Sequence, residues 1–193
     1  VGHRIKVIDN FVDQKDADKI ISMIEHDYHH GDLEAFKDNP MVGVVSNNNL
    51  ESEALIKKYS DKLISLHREE FGIAVDLYTV QAHNCLWELR SEAGLHVDSH
   101  KKSEHIITSS ILYLGGTFIG GDIEFPQQKF TYSPQALSAL IYPSGGLEYP
   151  HRMTMISRGS MYTMSLWHSH LKEFSLKEKY LSSGRADLYS IWK

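Results

Sequence analysis

The sequence predicts a mostly β protein, a β-barrel of jelly-roll type with two helices packed on its outside. Two observations carry this reading. Apolar residues recur at helical spacing as far as Phe71, and the pattern changes from Val75 onward. Beyond that point, short stretches rich in Ile, Leu, Tyr, Val and Trp are separated by Gly, Pro, Ser and Asn, the punctuation of a sandwich or barrel. No repeat, low-complexity tract or linker interrupts the 193 residues, so one domain is expected. Residues 1–74 would be helical support and 75–193 the barrel core.

The elements follow in order. Arg4 to Ile8 reads as a short strand. Asp13 can cap a helix, with Asp16 in its first turn near the positive end of the dipole. Ala17, Ile20, Ile21, Ile24 and Tyr28 give that helix one apolar face, and Gly31 is a plausible stop. A second helix is expected from about Ser52 to Phe71, with Leu55, Tyr59, Leu63 and Leu66 as its buried stripe and Gly72 as its end. Strands are expected near Leu77–Leu89, Ile106–Leu114, Gly121–Phe125, Lys129–Thr131, Leu137–Tyr142, His151–Ile156, Ser160–His168 and Asp187–Trp192. The pairs Gly115-Gly116, Gly120-Gly121 and Gly145-Gly146 read as turns between them.

Composition removes several function classes. A formal net charge of −5 is the wrong sign for a general nucleic-acid binder. No apolar run approaches bilayer length, so no membrane partner is expected. Cys85 is the one cysteine, which excludes an internal disulfide and every cysteine-based zinc pattern. These features suit a soluble protein of the cytoplasm.

The chemistry gathers around Gly94-Leu95-His96-Val97-Asp98. In a strand, residues i and i+2 point to one face, so His96 and Asp98 aim an imidazole nitrogen and a carboxylate at one point. With a distant histidine they form the two-His-one-carboxylate face that leaves coordination positions open on iron(II). A lone His-x-Asp is a weak signal in a chain with 12 histidines. Its downstream context is more specific: Ile111-Leu112-Tyr113-Leu114, Gly120-Gly121-Asp122-Ile123-Glu124-Phe125-Pro126, Ala139-Leu140-Ile141-Tyr142-Pro143-Ser144, Pro150-His151, Arg158-Gly159 and Trp167.

On these segments, and on the entry Ile8-Asp9-Asn10-Phe11-Val12, the chain resembles the prolyl 4-hydroxylase-like branch of the 2-oxoglutarate- and iron(II)-dependent dioxygenases. The resemblance runs from about Ile5 to Trp167. It implies a double-stranded β-helix (cupin-like) barrel with iron(II) held by His96, Asp98 and His151. It implies 2-oxoglutarate and dioxygen as cosubstrates, with ascorbate as an optional reductant. The reaction would hydroxylate a C–H bond and release succinate and CO2. The substrate would be a peptide, protein or small molecule, with a prolyl side chain as the suggestion the family makes, although a fold does not fix a substrate.

One part of the family pattern departs. Relatives carry an Arg or Lys six residues before the closing Trp, paired with the C5 carboxylate of 2-oxoglutarate; here that position is Met161. A methionine cannot pair a buried charge. Arg158, beside a glycine that could permit a bulge, is the expected replacement, with Arg152 and Arg90 as further candidates. Tyr113 matches a strand tyrosine that in some relatives donates its hydroxyl to that carboxylate; a core aromatic is its other reading. Trp87 stands where many relatives have a tyrosine. The departure keeps two alternatives in view: a degenerate, purely binding module of this fold, and a cupin-like metalloenzyme using another metal. Elsewhere, His26, His29 and His30 read as a solvated helix end, His100 and His105 as a loop near the site mouth, His168 and His170 as surface, and Cys85 as a small buried residue.

Overall fold

The computed structural model describes residues 4–30, 34–36, 39–45, 49–100 and 103–193. The expected helix stop at Gly31 lies outside them. Strand β1 (Lys6–Ile8) leads into helix α1 (Gln14–His30). Strands β2 (Glu34–Phe36) and β3 (Asn39–Val45), a hairpin that the sequence did not announce, precede helix α2 (Leu50–Phe71). The rest of the barrel comprises β4 (Tyr78–Trp87), β5 (Ala93–His96), β6 (Ile106–Gly120), β7 (Ile123–Phe125), β8 (Phe130–Tyr132), β9 (Ala139–Pro143), β10 (His151–Met153) and β11 (Ile156–Ser169). Helices α3 (Leu176–Ser182) and α4 (Ala186–Ile191) follow. No helix among the described residues is long and apolar enough to cross a membrane.

The strands form two antiparallel sheets. The larger runs β1-β9-β6-β11-β4-β3-β2 and the smaller β5-β10-β7-β8. Side-chain alternation assigns their faces. Leu86, Leu112, Leu114, Ile141, Met164 and Leu166 point outward and bury the apolar faces of α1 and α2, through Ile20, Ile24, Tyr59 and Leu63. Tyr113, Leu140, Tyr142 and Met161 point inward and meet Ile123 and Phe125 of the smaller sheet. The space between the sheets holds the site.

Local chemistry fixes the supporting helices. The Asn49 side chain accepts a hydrogen bond from the Ser52 amide (2.8 Å), so α2 starts slightly earlier than expected. Gly72 ends it at φ 65°, donating its amide to Arg68. The start of α1 is tied across to α2, where Lys58 bridges Asp13 and Asp16 (2.6 Å each) and the Tyr59 hydroxyl donates to Asp16 (2.8 Å).

Three expectations need correction. The expected strand at Asp187–Trp192 is instead helix α4, which runs to Ile191 with Trp192 as its C-cap. Leu188, Ile191 and Trp192 sit at helical spacing, and Leu188 and Trp192 are buried in the core beneath α2. The preceding Ser175-x-x-Glu178 opens α3 with a side-chain cap, a start signal the sequence reading passed over. Gly115-Gly116 is not a turn but the middle of β6. There β11 crowds the backbone, and a Cβ on Gly116 would stand 2.2 Å from the Ser160 carbonyl oxygen. His168 is not at the surface: it is fully buried, its ring centroid 5.0 Å from that of His67.

Candidate metal centre

Two strands of the smaller sheet deliver the histidines. β5 and β10 pair antiparallel with His96 opposite His151, and the ring centroids are 4.3 Å apart. β5 ends at His96, so Asp98 reaches the same point from a bend rather than from strand alternation. The Ser103 hydroxyl holds that bend by donating to the Asp98 carbonyl oxygen (2.8 Å). His96 Nε2 lies 3.8 Å and His151 Nε2 3.9 Å from Asp98 Oδ1. One ligand atom from each of the three residues falls within 4.8 Å of the others, the one such group of three found among the described residues.

Hydrogen bonds behind the three candidate ligands set their chemistry. His96 Nδ1 faces the Gly94 carbonyl oxygen (2.7 Å) and His151 Nδ1 that of Tyr149 (3.1 Å). A carbonyl accepts only, so each Nδ1 carries the proton and each Nε2 offers its lone pair to the centre. Tyr142, on the inward face of β9, donates to Asp98 Oδ2 (2.9 Å) and lies 3.2 Å from His151 Nε2. Burial and the Asp98 carboxylate push the Tyr142 pKa well up, so its hydroxyl stays a donor. Burial also pushes His151 below the usual histidine range, against the opposing pull of Asp98, which keeps the ring in its metal-binding form. Phe125 stacks on the His151 ring with centroids 5.2 Å apart.

The three residues open into a cavity of about 580 Å³. Tyr113 lines it, 3% exposed, paired across the sheet with Thr163. Met161 and Thr163 line it from β11, and Cys85 and Trp87 from β4, where the Trp87 indole donates to the Thr163 hydroxyl (2.9 Å). His100 stands exposed among the lining residues, but His105, expected beside it, does not line the cavity and stacks on Phe174 with ring centroids 4.0 Å apart.

Arg158 is not brought to the cavity. Its side chain is exposed and it is not among the lining residues. The β11 register is irregular between Ile156 and Arg158, but from Arg158 to Met161 it pairs residue for residue with β6. An odd offset from the inward-facing Met161 therefore turns Arg158 outward. Arg152 is also exposed and pairs with Glu124 (2.6 Å), and Arg90 is exposed. Tyr142 is the contact that sequence reasoning missed. Its strand was visible, but the pairing that places it over Asp98 was not.

No protein-family model matches the chain, and no curated protein matches it by sequence. By structure it is similar to an oxidoreductase of the 2OG-Fe(II) oxygenase family from Burkholderia pseudomallei, with TM-score 0.70 and 13% identity over 86% of this chain and 84% of that one. It is similar to the viral collagen prolyl hydroxylase of Paramecium bursaria Chlorella virus-1, solved as its 2OG complex, with TM-score 0.70 and 14% identity over 86% and 96%. A prolyl hydroxylase from Trichoplax adhaerens, solved with a peptide fragment of a hypoxia inducible factor oxygen degradation domain, gives TM-score 0.71 and 15% identity over 89% and 86%. At these identities the likeness is one of fold: this chain has the double-stranded β-helix of the 2-oxoglutarate- and iron(II)-dependent oxygenases and prolyl hydroxylases.

Proposed function

We propose that this protein is an iron(II)-dependent oxygenase that couples oxidative decarboxylation of a 2-oxo acid to hydroxylation of a substrate C–H bond. The observation that carries the reading is the convergence of His96, Asp98 and His151 at the wall of a cavity between the sheets. The donor set fits the metal: two neutral imidazoles and one carboxylate on one side, with the cavity on the other. Iron(II) held there would supply a centre at which a 2-oxo acid and dioxygen meet. In the balanced reaction, one oxygen atom of O2 enters the substrate as hydroxyl. The other enters the carboxylic acid that remains when the 2-oxo acid loses CO2, and each organic partner gives two electrons.

The chain's own residues do the positioning. The carbonyls of Gly94 and Tyr149 fix the two rings, and Tyr142 fixes the carboxylate. One carboxylate against a divalent ion leaves net positive charge for the carboxylate of a 2-oxo acid. A peptide or protein substrate is supported by the fold shared with prolyl hydroxylases, one of which was solved with a peptide. Iron-dependent release of CO2 from a 2-oxo acid under air, lost in His151→Ala, is the expected result. No release in the parent would favour the non-catalytic module, and turnover with zinc or manganese instead would favour the other metalloenzyme.

A further inference from the structure

The metal end of the cavity suits any 2-oxo acid, but its walls do not suit 2-oxoglutarate. That molecule carries a second carboxylate, which would need a buried cation. None of the described lining residues is a lysine or an arginine. Met161, 1% exposed, fills the β11 position between Trp87 and Gly116, and belongs to the same buried apolar cluster as Ile123, Ile156 and Tyr113. Met153 and Ile123 face it from the smaller sheet. Burial, with the Lys179 ammonium as a lesser cause, holds His83 at the far part of the same wall neutral near neutral pH, its pKa down to about 4; Lys179 itself does not line the cavity. The Tyr113 hydroxyl can donate one hydrogen bond, but the charged side chain that bears on it is a carboxylate, Asp122. A second carboxylate placed there would find that one hydrogen bond and no lysine or arginine among the described lining residues.

We infer that the cosubstrate of this site is a 2-oxo monocarboxylic acid with an uncharged aliphatic tail, selected against 2-oxoglutarate by the apolar wall around Met161. The inference rests on the reading of the site as a 2-oxo-acid-dependent oxygenase. A methyl or branched alkyl tail gains from leaving water against Met161, Met153 and Ile123. A distal carboxylate in the same place loses its hydration without a partner. Methionine, unbranched and adaptable, would shape itself to several such tails, so related neutral acids should bind alike.

The test is anaerobic calorimetric titration of the iron(II)-loaded protein with 2-oxoglutarate, 2-oxopentanoate and 4-methyl-2-oxopentanoate. The first two differ only in a methyl group for the distal carboxylate. The neutral acids should bind at least about tenfold more tightly than 2-oxoglutarate. Met161→Lys, which keeps an unbranched stem and adds the missing cation, should reverse the preference by a similar factor. The comparison within the parent protein decides even if that variant does not fold. Affinity for 2-oxoglutarate equal to or above that for the neutral acids overturns the inference and leaves the proposed function standing. Iron(II) binding with no affinity for any of the three acids overturns both.

Discussion

His96 and His151 face each other across the β5–β10 pair, and each ties its Nδ1 to the carbonyl two residues before it. One backbone device, used twice, presents two Nε2 lone pairs at one point. It costs no further side chain, and it leaves the third member of the group, Asp98, as the one steadied by a distant residue. That residue is Tyr142, on the opposite sheet.

Tyr142→Phe should therefore weaken iron(II) binding by about 10–100-fold, the usual cost of losing a partner behind a metal ligand. The ring and its packing against Phe125 survive the change. Calorimetric titration, with the melting temperature as a check on folding, reads the effect. Parent-like affinity would mean that Asp98 holds its position without the hydroxyl.

Arg158→Ala should leave 2-oxo acid affinity within about twofold of the parent, since surface changes away from special features have small effects. The sequence alone suggested the opposite, because a bulge at Gly159 could have turned Arg158 inward. The regular pairing from Arg158 to Met161 keeps it outside. A tenfold loss in the variant would show that the side chain enters the site.

Glu53 anchors the C-terminal helices. It is 2% exposed and accepts hydrogen bonds from the Trp192 indole (2.9 Å) and the Tyr180 hydroxyl. Glu53→Ala leaves two donors without an acceptor and should cost about 2–3 kcal/mol in urea unfolding. Glu53→Gln retains one acceptor oxygen and should cost less. Equal losses in the two variants would point to packing, not hydrogen bonding.

Stability should fall in acid through the buried histidines. Burial pushes the His168 pKa from 6.5 down to about 3, and burial and His168 hold the neighbouring His67 well below the usual range. The unfolded chain takes up these protons near the ordinary histidine pKa, and the folded chain does not. Stability is thus fully present above the unfolded value and declines as pH falls toward the folded one. Each histidine contributes at most about 1.4 kcal/mol per pH unit in that window. Urea midpoints between neutral pH and pH 4 should decline, and His168→Gln should flatten the slope. An unchanged slope would remove His168 as its source.

The sequence carried the parts of this protein that local pattern controls. Helices α1 and α2 and most barrel strands follow from periodicity, and the residues that converge at the candidate metal centre, His96, Asp98 and His151, lay in short motifs read in order. The failures have physical reasons. Residues Asp187–Trp192 look β-prone in isolation, and only the capping of α3 and the seat beneath α2 show them to be helical. Gly115-Gly116 looks like a turn because glycine serves both turns and close backbone approaches. Tyr142 over Asp98 and His168 against His67 depend on which strands and helices meet. Met161 and Trp87, the two departures from the pattern of the resembled family, were visible in the sequence, and both line the cavity.

The central claim is that His96, Asp98 and His151 together hold iron(II). Anaerobic calorimetric titration of the metal-free protein with iron(II), in the parent and in Asp98→Ala, tests it most directly. The account predicts one ion bound per chain in the parent and a loss of more than about a hundredfold in affinity in the variant, with its fold unchanged by circular dichroism. Iron(II) binding in Asp98→Ala as tight as in the parent would contradict it.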